Sequence, residues 1–512
     1  MSKVAKATIS LILATTIAKI LGFFRELVLA SSYGASMYSD AYLTAINIPN
    51  VIFTVIGGTL ATAIIPLYFE IKKDLNEKES LKYINNMLNI VLIICVLLTF
   101  LGVIFTEKIV KVFAIGFEGE ILELSINFTR VIMGSLLFSG LSYIMTSYLQ
   151  IKNRFTIPGL ISIPRNIIII TSIIISVKYG VYIMIWGTLL GICAEFLFQL
   201  PFAIKEGYRY KLYINLKDKY IKRTCCLIGP ILIGVAVNQV NSLIDRTLAS
   251  TLVEGSISAL NYANRLNGFV MALFITSIGA VIYPILSQLS AEENKEKFIK
   301  SVVKCINTII LLVIPISIGA IILSTPIVKL LFQRGEFDER ATSMTAIALT
   351  MYSIGMVAFG LRDILGKVFY SLKDTKTPMI NGVIAVCMNI ILNIILVEYL
   401  HLAGLALATS ISAIICILML FKSLKKKIGY FGQDMILKTT VKSIISSLIM
   451  GIIINFVYNV LSKLMGSGLI IEMILLLITV VIGVIVYAIV IILFKVEEIN
   501  EFIISINKKI KR

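Results

Sequence analysis

The amino-acid sequence predicts an all-α polytopic membrane protein with 14 transmembrane helices, arranged as two six-helix lobes in parallel repeat plus two extra helices. Three observations carry that expectation: an apolar composition, the recurrence of long apolar runs, and a self-similarity at a nearly constant offset. Of 512 residues, 58% are hydrophobic and 15% are charged, against roughly 45–50% and about 25% in soluble domains.

A spanning helix needs about 20 mostly apolar residues. Candidate cores lie at 8–31, 40–70, 84–106, 122–149, 156–177, 181–204, 225–252, 258–288, 304–324, 341–371, 378–397, 402–421, 437–461 and 468–494. The first follows only Met-Ser-Lys-Val-Ala-Lys and has no small-residue cleavage site. It therefore reads as a retained helix and not a signal peptide, with the mature chain expected to begin near Met1.

The net charge of +18 is mostly topology. Sorted by this map, 32 of the 47 basic residues fall at the termini and in alternate loops on one side, seven on the other, and eight within spans. Short basic loops stay in the cytoplasm, so both termini of this multi-pass chain are expected there. The basic stretches Lys205–Arg223 and Lys422–Lys442 read as positive-inside anchors or as contacts to anionic lipid headgroups. No nucleic acid is expected as a partner, because neither a basic groove with interleaved aromatics nor a reading motif is present. The seven cysteines lie in or beside apolar spans without metal-ligand spacing, which reads as small core residues and no metal site.

The chain also repeats itself. Ile109-Val-Lys-Val-Phe followed by Gly116-Phe-Glu-Gly-Glu returns as Ile327-Val-Lys-Leu-Leu followed by Gly335-Glu-Phe-Asp-Glu. Ile65-Pro66 matches Tyr283-Pro284, and the Tyr148 to Pro158 stretch matches Tyr370 to Pro378. An offset near 220 across six spans gives two lobes of one orientation, a recurring transporter plan worked by alternating access. The expected division is 1–210 for helices 1–6, 211–430 for helices 7–12, 431–495 for helices 13 and 14, and 496–512 for a basic tail.

Ionisable residues at bilayer depth are functional candidates by default. Cations outnumber acids: Lys19, Arg25, Arg130, Arg165, Arg246, Arg265, Arg362 and Lys367 against Glu26, Asp40, Asp245, Asp363 and Glu195. An arginine excess in a shared cavity suits an anionic substrate, since guanidinium grips phosphate bidentately. The competing reading pairs each charge within its lobe, as Arg25 with Glu26 or Arg362 with Asp363, although adjacent helical residues do not face one another. Asn47, Asn50, Asn238, Gln239 and Asn241 accompany these charges and equally suit interhelical bonding. Gly57 and Gly58, flanked by Pro49 and Pro66, suggest a hinge in helix 2. The stretch Gly360 to Lys367 lacks phosphate-loop spacing, and the single His401 leaves no histidine acid/base constellation within the membrane. A nucleotide site and an embedded enzyme are both disfavoured.

Several segments together resemble the MurJ/MviN lipid II flippase family of the multidrug/oligosaccharidyl-lipid/polysaccharide exporter superfamily. They are Leu21-Gly-Phe-Phe-Arg25-Glu, Gly34-Ala, Asp40-Ala41, Ile48-Pro-Asn50, Ile65-Pro66, Leu260-Asn-Tyr-Ala-Asn-Arg265-Leu, Leu331-Phe-Gln-Arg-Gly335-Glu-Phe, and Phe369-Tyr-Ser-Leu-Lys-Asp374-Thr-Lys-Thr-Pro378. The match runs over roughly residues 8–425. It implies movement of an undecaprenyl-diphosphate-linked sugar-peptide lipid from the inner to the outer leaflet, the head in a cationic central cavity and the polyprenyl tail in a groove of helices 13 and 14. The family's cavity cations fall on Lys19, Arg25 and Arg265, and its acidic residue of helix 2 on Asp40. Where relatives carry a further cavity arginine and then Glu-Gly, this chain has Phe53-Thr54 and Gly58-Thr59. Two readings stay open: Arg246, Arg362 or Lys367 compensates, or the head group differs from the usual one.

No cofactor is expected, which leaves an ion gradient, the membrane potential or downstream consumption of product as the driving force. Expected partners are membrane lipids and cell-wall synthases, with the chain a monomer. Two alternatives stay open at this point: an exporter of another polyprenyl-linked glycan or of drugs by cation antiport, and a non-transporting scaffold for cell-wall enzymes.

Overall fold

The computed structural model describes residues 3–292, 294–466, 468–496 and 498. The basic tail expected over 496–512 lies almost wholly outside the described residues. Among the described residues the secondary structure is helical, without strands. By packing, the chain divides into two compact units, one reaching Ser258 and taking in Arg334–Phe337, the other made of Ala259–Gln333 and the chain from Asp338 onward.

The first unit contains α1 (Lys3–Tyr33), α2 (Met37–Asp74), α3 (Glu77–Ile104), α4 (Thr106–Phe113), α5 (Gly119–Ile132), α6 (Ser135–Ile151), α7 (Thr156–Leu160), α8 (Ser162–Tyr179), α9 (Tyr182–Lys205) and α10 (Lys219–Ala249). Its core gathers around Tyr68, Phe128 and Tyr148, all fully buried. α8 and α9 form an antiparallel hairpin and pack tightly at Gly187, where any Cβ would strike Ser172. α10 packs on α2 and α4; the Thr247 hydroxyl donates to the Val112 carbonyl and the Gly116 N–H donates to Ser250 Oγ. These bonds group α10 with the helices before it, whereas the sequence repeat sets a division near residue 210.

The second unit contains most of α11 (Ser256–Val270), a π turn at Met271–Ile275, α12 (Thr276–Ala291), α13 (Lys295–Ile322), α14 (Ser324–Phe332), α15 (Glu339–Ile354), α16 (Met356–Ser371), α17 (Lys376–Ile428), α18 (Gln433–Met465) and α19 (Leu469–Leu493). Phe332, Phe369 and Phe431 are fully buried there. α18 packs against α13 and α19, and the Tyr487 hydroxyl of α19 donates to the Leu311 carbonyl of α13 at 2.9 Å.

Among the described residues, eight helices are long and apolar enough to cross a bilayer, or up to ten if each of two bent pairs is one span. The 53-residue α17 encloses two expected spans, because its helical dihedrals break at His401 (φ 48°, ψ −127°). The 14 expected cores fall on α1, α2, α3, α5–α6, α7–α8, α9, α10, α11–α12, α13, α15–α16, the two halves of α17, α18 and α19. The chain is a multi-pass membrane protein, and its exposed apolar side chains, such as Ile93, Val96 and Leu97 on α3, are what a lipid-facing surface requires.

Backbone conformation repeats with the sequence offset. The α5–α6 break at Gly134 has its counterpart in the α15–α16 break at Gly355, the two pairs bending by 40° and 45°. Positive φ recurs at Gly34 and Gly255, at Asn153 and Lys373, and at Gly180 and His401. The cysteines depart from their expected core placement: Cys95, Cys305 and Cys416 are buried, whereas Cys225, Cys226 and Cys387 sit on exposed helix faces.

Candidate functional site

In the first unit, α1, α8 and α9 bring four charges together. Arg25 Nη2 lies 2.8 Å from Glu26 Oε1, and its Nη1 donates to Asn166 Oδ1 at 3.2 Å. Arg165 Nη1 lies 3.0 Å from Glu195 Oε1. Arg25 and Glu26 therefore do pair, although they are adjacent on the helix, because the long guanidinium stem folds back onto a carboxylate that is only 3% exposed. Two cations and two anions compensate one another at a depth where an unpaired charge is costly. Beside them the Tyr42 and Thr188 hydroxyls share a 2.8 Å hydrogen bond.

Asp40, at the start of α2, is buried. Its Oδ2 accepts the Gly255 N–H at 2.9 Å and its Oδ1 accepts the Ser258 N–H at 2.8 Å, so the carboxylate caps the start of α11. An anion suits that place, since the first amides of a helix lack internal partners and carry partial positive charge. Three glycines sit close by, Gly34 and Gly335 from the resemblance motifs and Gly255 from outside them. Gly34 (φ +62°) leaves no room for a Cβ against the Glu336 carbonyl, Gly255 (φ +86°) none against that of Ala35, and Gly335 (φ +61°) none against that of Ser31. The Glu336 N–H donates to the Ser31 carbonyl at 3.0 Å.

The remaining candidates are spread out. Lys19 on α1 and Asn50 on α2 are exposed. Arg246 on α10 donates to the Leu43 carbonyl of α2 at 3.4 Å. In the second unit Arg265 on α11 and Arg362 on α16 are exposed, and Lys367 Nζ lies 2.6 Å from Asp363 Oδ2, one turn away. The partner of Asp363 is thus Lys367 and not its neighbour Arg362, as helical spacing favours. Lys367 lies over Gly279, where a Cβ would collide with its ammonium.

Of the hinge candidates, Gly57 is buried against the Phe53 ring, Pro66 is exposed within a continuous α2, and the surroundings of Gly58 lie outside the described residues. Phe53, where relatives were expected to carry arginine, is 5% exposed and packs on Tyr143 with ring centroids 5.2 Å apart. At this place the chain has a core aromatic.

Sequence reasoning passed over Asn85, Asn86 and Asn89 of α3, all buried. Their side chains bond the non-helical segment 208–215. Three asparagines within five residues of an apolar span was the available signal.

The family model described as lipid II flippase MurJ matches residues 29–479. The chain is 31% identical over 428 residues to the probable lipid II flippase MurJ of Buchnera aphidicola subsp. Acyrthosiphon pisum, covering 82% of this chain and 84% of that one. It is 30% identical over 431 residues to that of Vibrio cholerae serotype O1, with coverage of 80% and 81%. A solved structure of the lipid II flippase MurJ, in an inward closed conformation, superposes with a TM-score of 0.82 at 30% identity, covering 95% of this chain and 98% of that one. An inward-facing multidrug resistance MATE family transporter of the MOP superfamily shares the fold, with a TM-score of 0.65 at 17% identity and coverage of 82% and 98%. By its sequence over most of its length, and by its fold, this chain belongs to the lipid II flippase MurJ family.

Proposed function

We propose that this chain is a lipid II flippase, carrying the lipid-linked peptidoglycan precursor from the inner to the outer leaflet of the cytoplasmic membrane by alternating access. The observation that carries the proposal is the match in sequence and fold to lipid II flippases over nearly the whole chain. Arg25, Lys19, Arg246, Arg265, Arg362 and Lys367 are the proposed contacts to the head group. Guanidinium suits a diphosphate because two N–H groups meet two oxygens at once. Arg25 directs one donor to Glu26 and one to Asn166, so a diphosphate there takes the remaining N–H groups of the guanidinium or displaces those partners. Asn50 is a proposed polar contact, Gly57, Gly58 and Pro66 the proposed hinge, and Asp40 the cap that holds the start of α11 while the head group passes.

The polyprenyl tail follows α18 and α19, whose exposed faces carry Leu448, Ile452, Phe456, Leu477 and Val484. Both termini face the cytoplasm, supported by the distribution of basic residues. An ion gradient, the membrane potential or consumption of the product drives the cycle, and cell-wall synthases are proposed partners of a monomeric chain. Drug export by cation antiport fits less well, because Glu26 and Glu195 are engaged by arginines.

The test is rescue of growth and cell-wall synthesis after depletion of a host's own flippase. Wild-type chain is expected to rescue, and failure by a well-expressed, correctly inserted chain contradicts the proposal.

A further inference from the structure

The segment joining α9 to α10 has a structure that transport does not explain. Residues 208–215 form a non-helical segment that lies along the third and fourth turns of α3 and is pinned there by side-chain amides. Asn85 Nδ2 donates to the Arg209 carbonyl at 3.0 Å, Asn86 Nδ2 to the Asn215 carbonyl at 3.0 Å, and Asn89 Nδ2 to the Tyr213 carbonyl at 3.1 Å. In return the Lys211 and Asn215 N–H groups donate to Asn85 Oδ1 and Asn86 Oδ1, and the Tyr208 and Tyr210 hydroxyls to Asn85 Oδ1 and Asn89 Oδ1. Non-helical backbone is tolerated at membrane depth only where its polar groups are satisfied by protein, and this asparagine ladder supplies that satisfaction.

Depth follows from α3 itself. Glu77, at its first residue, pairs with Lys72 and Lys152 in a charged, exposed cluster. Asn85 and Asn89 lie eight and twelve residues further on, about 12–18 Å along the axis at 1.5 Å per residue. The lipid-facing run of Ile93, Ile94, Val96 and Leu97 begins one turn later. The segment is therefore held between the charged end of the helix and its apolar belt.

Arg209 to Leu212 are all exposed, and from Leu212 onward the outward side chains alternate. Leu212, Ile214 and Leu216 are 76%, 48% and 66% exposed, while the alternate positions Tyr213 and Asn215 are half-buried toward α3. Seven basic residues stand within 205–223 against two acidic ones, Glu206 and Asp218. Apolar side chains at interfacial depth, flanked by lysine and arginine, match a leaflet that is apolar within and anionic at its surface.

We propose that this segment is an interfacial strap. It seats Leu212, Ile214 and Leu216 among acyl chains while Arg209, Lys211, Lys217 and Lys219 bind the anionic headgroups of the same leaflet.

The chain has a single tryptophan, Trp186, so W186F combined with L212W gives one reporter on the strap, and the unaltered chain with Trp186, 53% exposed on α9, gives a control. The protein is placed in nanodiscs of phosphatidylcholine with and without phosphatidylglycerol, containing lipids brominated near the headgroup end of the acyl chain. Emission at position 212 is expected to fall about twofold with brominated lipid, as for a side chain at the headgroup–acyl boundary, and to fall further with phosphatidylglycerol. Quenching by aqueous iodide and not by brominated lipid would overturn the proposal, as would protection from both quenchers by a bound protein. Quenching indifferent to phosphatidylglycerol would overturn its electrostatic half. Native mass spectrometry needs no reporter: the otherwise unaltered chain with R209Q, K211Q, K217Q and K219Q is expected to lose retained phosphatidylglycerol relative to wild type, and equal retention counts against the strap. Flipping activity enters neither readout, so failure here is distinct from failure of the proposed function.

Discussion

The carboxylate of Asp40 accepts the backbone N–H of Ser258 at 2.8 Å, tying the first turn of α2 to the first turn of α11 across 218 residues of sequence. A second N–H, that of Gly255, reaches the other oxygen. Asp40→Ala leaves buried donors without an acceptor and is expected to cost about 2–4 kcal/mol. Asp40→Asn keeps one acceptor and is expected to cost about half as much. Thermal unfolding of the purified variants in detergent measures both, and equal behaviour of the two would remove the capping role.

Gly34 and Gly119 both have positive φ, near +62° and +56°, but a Cβ at Gly34 meets the Glu336 carbonyl while one at Gly119 meets nothing within 4 Å. Gly119→Ala is expected to cost about 1 kcal/mol from backbone strain alone. Gly34→Ala adds a backbone collision and is expected to cost at least about 3 kcal/mol in all. The difference in unfolding temperature between the two variants checks this.

Gly57 and Phe53 are one turn apart, and the Phe53 ring fills the space of the missing side chain, held from behind by Tyr143. Gly57→Ala is expected to destabilise by about 1–3 kcal/mol through overpacking. Phe53→Leu alone loses packing, but in combination it gives the new methyl room. A double-mutant cycle is expected to show coupling of about 1 kcal/mol; additivity would contradict the contact.

Asp374, in the turn between α16 and α17, is held down at about 2 by a hydrogen bond from Lys427, 2.8 Å away, and by the Thr377 backbone N–H. A carboxylate depressed on folding contributes stability that is fully present above its unfolded pKa of about 3.9 and disappears as pH falls through the folded value. Wild type is expected to exceed Asp374→Asn by about 1 kcal/mol at neutral pH, modest because the pair faces solvent. The gap is expected to close between about pH 4 and pH 2. Stability against pH for both proteins measures it, and a gap that persists at pH 2 would assign the loss to something other than charge.

The fold was largely legible because apolar run length and repeat offset are local sequence properties. The offset that pairs Tyr148 to Pro158 with Tyr370 to Pro378 reappears in the backbone as positive φ at Asn153 and Lys373. The pairing of charges was less legible. Asp363 chooses Lys367 by helical spacing, which the sequence contains, but Arg165 finds Glu195 only because α8 and α9 fold back on one another. Asn85, Asn86 and Asn89 were missed because most of their partners are backbone groups of a distant segment, and no side-chain motif records a carbonyl.

Arg25 combines a structural and a proposed binding role, and the two separate by charge. Arg25→Gln takes from the buried Glu26 its ion pair with Arg25 and is expected to cost about 3–5 kcal/mol. Arg25→Gln with Glu26→Gln removes both charges, and is expected to recover most of the stability without recovering transport. Unfolding temperature and rescue of a flippase-depleted host, measured on the same variants, distinguish the roles. Rescue by the double variant at wild-type level would make Arg25 purely structural.

Leaflet transfer of lipid II is measured most directly as its translocation in proteoliposomes. Purified chain is reconstituted with fluorescent lipid II in both leaflets, and a membrane-impermeant reductant or a specific lipid II-binding peptide reports the accessible fraction over time, with an ion gradient or potential imposed as required. Protein-dependent loss of the protected pool, abolished in the stable Arg25→Gln, Glu26→Gln double variant and absent for a lipid without the diphosphate head, is the expected result. A protected pool that stays unchanged with folded, correctly inserted protein under every imposed gradient would contradict the account.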